Sequence, residues 1–172
     1  MFKMKSLLFV AGTFSLALLG GCGGGLDANP GTNGPTTLSG RLATSDFFDS
    51  PTGRYYDIFV ADALDSGKAR VAMRSSDFDT QFYVYEKDSS GDYTLIDDND
   101  DADSSTTDSD DKFDVTQGNT YRILATSSKP NERGSYEIRF SDILSAPAAV
   151  ITDDAALSKG KAKFSLPARA KK

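Results

Sequence analysis

The chain has 172 residues, 38% of them hydrophobic and 26% charged, with 25 acidic residues against 19 basic for a net charge of −6. Histidine and tryptophan are absent and Cys22 is the only cysteine. This excludes Ser-His-Asp and Cys-His catalysis, His-bearing zinc or iron sites, an internal disulfide and a CxxC redox pair. General acid–base work would fall to aspartates or to Glu86, Glu132 and Glu137, so the composition points away from an enzyme. The charge is unevenly divided. Residues 1–21 carry two lysines and no acid, residues 22–154 carry all 25 acids against 11 basic residues, and residues 155–172 carry six basic residues and no acid. A body with so large an acidic excess repels phosphate, which argues against nucleic-acid binding.

In chain order, residues 1–21 read as an export signal. Lys3 and Lys5 form a positive start, and Leu7 to Leu19 form an apolar core too short to cross a membrane. Leu19-Gly20-Gly21-Cys22 then resembles the bacterial lipobox. That resemblance implies cleavage before Cys22, diacylglycerol on its thiol and usually a further acyl chain on its amino group. The alternatives are a plain secretory signal with a stray cysteine, or a short membrane anchor. Two or three acyl chains, at about 0.8 kcal/mol per buried methylene, hold a protein on a membrane essentially permanently. The expected location is therefore the cell envelope, with membrane contact through the covalent lipid on Cys22. Gly23 follows where an inner-membrane retention signal would carry aspartate, so the outer membrane is expected if the cell is Gram-negative.

Residues 22–37 are rich in Gly, Pro, Asn and Thr and read as a tether, spanning roughly 20 Å root-mean-square if flexible. Residues 38–143 then show short runs of alternating apolar and polar residues, separated by polar turns such as Asp88-Ser89-Ser90-Gly91-Asp92 and Gln117-Gly118-Asn119. No helical stripe stands out. The pattern predicts about eight strands, at 38–43, 54–61, 68–75, 80–86, 93–98, 111–116, 120–127 and 134–141. Their number and length predict an all-β fold, an antiparallel β-sandwich of jelly-roll type.

Several of these runs carry motifs. Ser75 to Tyr85 (SSDFDTQFYVY) is similar to the S-x-x-FD-x-x-L-x-L strand of bacterial pre-peptidase C-terminal domains. Ile96 to Asp101 resembles that family's acidic turn, Asn119 to Ile123 its G-x-Y-x-I strand, and Gly134 to Ile138 its closing G-x-Y-x-L strand; Tyr55 to Phe59 fits an earlier strand loosely. The resemblance spans roughly residues 37–142. It implies a jelly-roll sandwich without catalytic activity, of a kind appended to secreted proteases and thought to aid secretion or substrate binding, and related to calcium-using collagen-binding domains. No protease accompanies it in this chain, which departs from the family's usual setting.

The densest chemical feature lies between Asp97 and Asp114, with nine aspartates and Lys112 alone to oppose them. Calcium takes six to eight hard oxygens, and Asp97, Asn99, Asp101 and Asp103 alternate as such a loop would. A site shared between this loop and Asp77 or Asp79 on a neighbouring strand stays open. An EF-hand is excluded, because Ala102 stands where its turn needs glycine and no helices flank the loop. The competing reading is a solvated acidic turn. Tyr83 and Tyr85 project opposite Phe82 and Val84, either as a platform for a sugar or peptide or as packing within the sheet. Phe47-Phe48 is expected to plug an end of the sandwich. Residues 144–172 read as a basic disordered tail, soluble or touching anionic lipid or the acidic loop. The functional expectation is a non-catalytic, membrane-anchored module for an extracellular or envelope polymer (polysaccharide, matrix protein or peptide). The alternative is an envelope protein accompanying a secreted hydrolase.

Overall fold

The computed structural model describes residues 34–147 and Leu166. Cys22, the signal segment and most of the expected tether and tail lie outside the described residues. Nine strands occur within them: β1 (Thr36–Leu42), β2 (Phe47–Asp49), β3 (Arg54–Asp62), β4 (Gly67–Arg74), β5 (Thr80–Lys87), β6 (Tyr93–Asn99), β7 (Ser109–Val115), β8 (Thr120–Ser127) and β9 (Gly134–Phe140). All eight expected strands are present, with ends shifted by at most two residues. The ninth, β2, pairs with the edge of β3. Phe47 stacks on Tyr56 with ring centroids 5.4 Å apart, and exposed Phe48 lies against Tyr55. The Phe47-Phe48 pair is thus a sheet edge rather than an end plug, since both rings find an aromatic neighbour across the strand.

The strands form two antiparallel sheets, ordered β1-β9-β4-β7 and β2-β3-β8-β5-β6. With β2 set aside, the eight longer strands run first-eighth-third-sixth in one sheet and second-seventh-fourth-fifth in the other. That is the jelly-roll order, in which most consecutive strands cross from one sheet to the other. Alternation places Leu42, Ala69, Val71, Met73, Phe113, Val115, Ile138 and Phe140 on the inner face of the four-stranded sheet. Phe59, Ala61, Phe82, Val84, Tyr121, Ile123 and Ala125 meet them from the five-stranded sheet.

Polar residues close the two ends of this core. At one end Thr80 and Ser109 share a hydroxyl hydrogen bond of 2.8 Å. At the other, Asn119 Nδ2 and the Tyr121 hydroxyl both donate to Glu86, at 2.7 and 3.0 Å. Gly40 faces Tyr136 across the β1–β9 register, and a Cβ there would stand 2.2 Å from the phenol ring. The glycine therefore makes room for the ring, whose hydroxyl crosses to the other sheet and donates to Asp57 at 2.6 Å.

Candidate functional site: two outer faces and an acidic edge

The sequence motifs around Asp77 and Gly134 meet in space. Ser75 Oγ donates to the Ser135 carbonyl at 2.8 Å, Ser135 N donates to Asp77 Oδ2 at 2.7 Å, and Phe78 meets Tyr136 edge-on. Gly134 has φ +153°, and an added Cβ would lie 2.2 Å from that of Asp77. Asp77 therefore fastens the β4–β5 connection to the start of β9. Asp79 pairs with Lys129 at 3.3 Å, and its carbonyl accepts from Ser128 N.

The other expected calcium donors are spread along β6 and its loop. Asn99 Oδ1 accepts from Asp110 N while its Nδ2 donates to the Asp101 carbonyl, so this side chain ties β6 to β7. Asp103 is exposed and caps Ser105 N at 2.7 Å. Asp97 is half-buried on the inner face of β6, opposite Val84. Burial raises its pKa above the ordinary carboxylate range, and the negative charge of Asp111 on β7 pushes the same way. Among the described residues, no group of three or more Asp, Glu, His or Cys is placed to hold a metal ion. The six expected donors thus do not form one cage: Asp77 and Asp79 have partners of their own, and Asn99 is occupied at both ends of its amide.

Tyr83 and Tyr85 lie on the outer face of the five-stranded sheet, but they are only 1% and 7% exposed. An open aromatic platform is therefore corrected to a packed one. Both tyrosines belong to a second apolar cluster with Tyr56, Ile58, Leu124 and Leu166, flanked by Phe47, Val60 and Tyr93. Burial pushes the Tyr85 phenol up to about 12. Beside them Arg54 is buried, donating to Tyr83 Oη at 3.0 Å, to the Ser127 carbonyl at 3.2 Å and to Gln81. The expected tail from residue 144 is corrected at two points. Leu144 is buried in the core and bridges to Ala63, and Leu166 is buried in the second cluster. Both leucines gain by removing apolar surface from water.

The outer face of the four-stranded sheet is open and cationic. Arg41, Lys68, Arg70, Arg74, Lys112 and Arg139 all point outward and are exposed, so six of the eleven basic residues between 22 and 154 share one face. Ala72 sits at its centre, opposite Asp110 on β7 and Arg139 on β9. Its short side chain leaves a gap in a layer of long ones. The result is a cavity of about 270 Å³ lined by Pro35, Arg70, Ala72, Arg74, Asp110, Glu137, Arg139 and Ser141. Arg70 grips Asp110 with two nitrogens, and that pairing raises its own pKa. Arg74 approaches Asp108 at 3.7 Å, Lys68 pairs with Asp114 at 2.8 Å, and Arg139 takes part in no ion pair among the described residues. Sequence alternation assigns each of these residues an outward direction. What it lacks is the pairing of β4 with β9 that brings Arg139 beside Arg70 and Arg74.

No protein-family model and no curated protein matches the sequence. Among solved structures, the chain is similar to the pre-peptidase C-terminal domain of a collagenase from Bacillus anthracis. The identity is 12% and the TM-score 0.43, over 63% of this chain and 90% of that one. It is also similar to the Yersinia pseudotuberculosis-derived mitogen, at 11% identity and a TM-score of 0.45, over 66% of this chain and 97% of the other. The structures to which the chain is similar thus include a member of the family its motifs resemble.

Proposed function

We propose that the protein is a non-catalytic binding module, held at the cell envelope by lipid on Cys22, that takes an acidic polysaccharide on the outer face of its four-stranded sheet. The observation that carries this reading is the arginine-lined cavity over Ala72 in an otherwise acidic body. Guanidinium groups match carboxylate and sulfate oxygens in a planar, two-point geometry that ammonium groups lack. Arg139 brings to the cavity a guanidinium outside the ion pairs of the described residues, and exchange of Asp108 for a ligand would free Arg74. The surrounding acids would exclude polymers that approach elsewhere on the body. A flat cationic sheet face also suits a repeating ligand, because adjacent sugars present their acids at regular intervals. Calcium enters this reading only at the Asp97–Asp111 edge, whose carboxylates sit beside the inward-facing Val84 and Val71 and not on the outer face that carries the cavity.

The test is retention on a carboxylated polysaccharide, polygalacturonate, with neutral dextran as control. The wild type should be retained on the former and not the latter, and salt should weaken retention. Replacing Arg74 and Arg139 together with serine should lower affinity about tenfold or more, since charge-assisted contacts contribute about 1.5–3 kcal/mol each. Both side chains point outward, so the melting temperature should barely change. Equal retention of the two polymers, or undiminished binding by the double variant, would refute the reading.

A further inference from the structure

The apolar outer face of the five-stranded sheet already has an occupant from this chain. The last strand ends at Phe140 in the other sheet, yet Leu166 is 3% exposed among Tyr56, Ile58, Tyr83, Tyr85 and Leu124. Sheets of antiparallel sandwiches commonly leave their outer face wet and polar. Here β5 and β8 are buried on both faces over most of their length, so this side is constructed to be covered. We propose that it is a peptide-binding groove whose resident ligand is the chain's own C-terminal segment, residues 159–172, with Leu166 seated among the tyrosines and the flanking basic residues held by acids at the rim.

Charge and shape both fit this occupant. The segment carries six basic residues and no acid. Asp98 lies opposite Tyr83 in the β5–β6 register and is exposed on the same side. The charges of Asp98 and Asp100 act on the Tyr83 hydroxyl, and those of Asp98 and Asp49 on Tyr85. Acids thus edge the groove where a cationic segment would pass. Pro167 pushes the backbone of Leu166, the residue before it, towards an extended conformation, which suits a strand-like ligand. Tyrosines provide large contact areas with little conformational freedom to lose. The groove selects one large aliphatic residue with cations on either side, so a partner segment of that chemistry competes with the chain's own. This seat lies on the sheet opposite the arginine cavity and stands or falls independently of the polysaccharide reading.

Trypsin cleavage at Lys163 and Arg169, which bracket Leu166, tests the proposal. In the full chain Leu166→Asp should speed both cuts about tenfold or more, because cleavage follows the undocked population, while the circular dichroism of the sandwich stays unchanged. A labelled peptide of residues 159–172 should then bind the Leu166→Asp chain, more weakly at high salt, and the same peptide with Leu166→Asp should not bind. Equal cleavage rates in the two chains, or failure of the native peptide to bind, would overturn it. Should Leu166→Asp fail to fold, Arg169→Glu with Lys171→Glu leaves the apolar seat intact. That variant should speed the Lys163 cut severalfold, and an unchanged rate would equally overturn the proposal.

Discussion

At the scale of single residues, Asp57 shows how a charge placed between two sheets governs response to pH. It is 5% exposed on β3, and the Tyr136 hydroxyl crosses the core to reach it. Burial raises its pKa to about 6; the Asp46 charge pushes the same way, and the hydrogen bond from Tyr136 opposes both. Burial and the Asp57 charge in turn push the Tyr136 phenol far up, so the tyrosine remains the donor. An unfolded aspartate titrates near 3.9, so the folded chain binds this proton more tightly than the unfolded chain does. The resulting stability is fully present below about pH 4 and is lost as pH rises through 6. A rise of this size corresponds to about 3 kcal/mol between these limits. Asp57→Asn keeps an acceptor for Tyr136 and removes the charge. It should therefore raise the melting temperature at pH 7.5 and leave it nearly unchanged at pH 4. Parallel pH profiles for the two proteins would show that Asp57 does not ionise in the fold.

At the scale of strands, the edges β6 and β7 set two carboxylates against one another. Asp97 is destabilised by burial and by Asp111, and its Oδ2 is buried without a hydrogen-bond partner. Asp97→Asn removes the repulsion and should raise the melting temperature at neutral pH, by about 1 °C or more. Calcium acting at this edge would raise the melting temperature of the wild type beyond equal ionic strength of sodium chloride, and would lose that margin in Asp97→Asn. An equal response in both chains would assign any calcium effect to screening. The same strands show what a sequence can convey. Eight strands were legible because alternation and turn residues recur together, whereas the three residues of β2 are too few to alternate. Tyr83 and Tyr85 were readable as outward-facing. Leu166, which joins their cluster, lies far along a stretch whose lysines suggest only a solvated tail. The spacing of Asp97, Asn99 and Asp101 suggested a cation loop, but Asp110 of β7 occupies the Asn99 oxygen and Ser135 of β9 occupies Asp77, and neither of these partners has a local signature.

At the scale of the whole molecule, charge is arranged to leave one cationic face on an anionic body. The tether expected from residues 22–37 would hold that body near the lipid surface, so the proposed anchor and the proposed polymer site would act at the same boundary. Their contributions to envelope association separate by physics. Acyl chains hold through burial of methylenes, which salt does not weaken. The arginine face holds through exposed charges, which salt screens within about 3 Å at 1 M. Wild-type protein should therefore remain with membranes through a 1 M salt wash and enter the detergent phase on extraction. Cys22→Ser should block cleavage and acylation before residue 22, leaving an unacylated chain whose only membrane hold is the short signal core. The Arg74 and Arg139 double variant should stay in the membrane fraction as the wild type does, because its lipid is intact. Recovery of wild-type protein in the soluble fraction without lipid would show that Cys22 is not an anchor. The polysaccharide face would then have to retain the protein at the envelope by itself, and the same salt wash would release it.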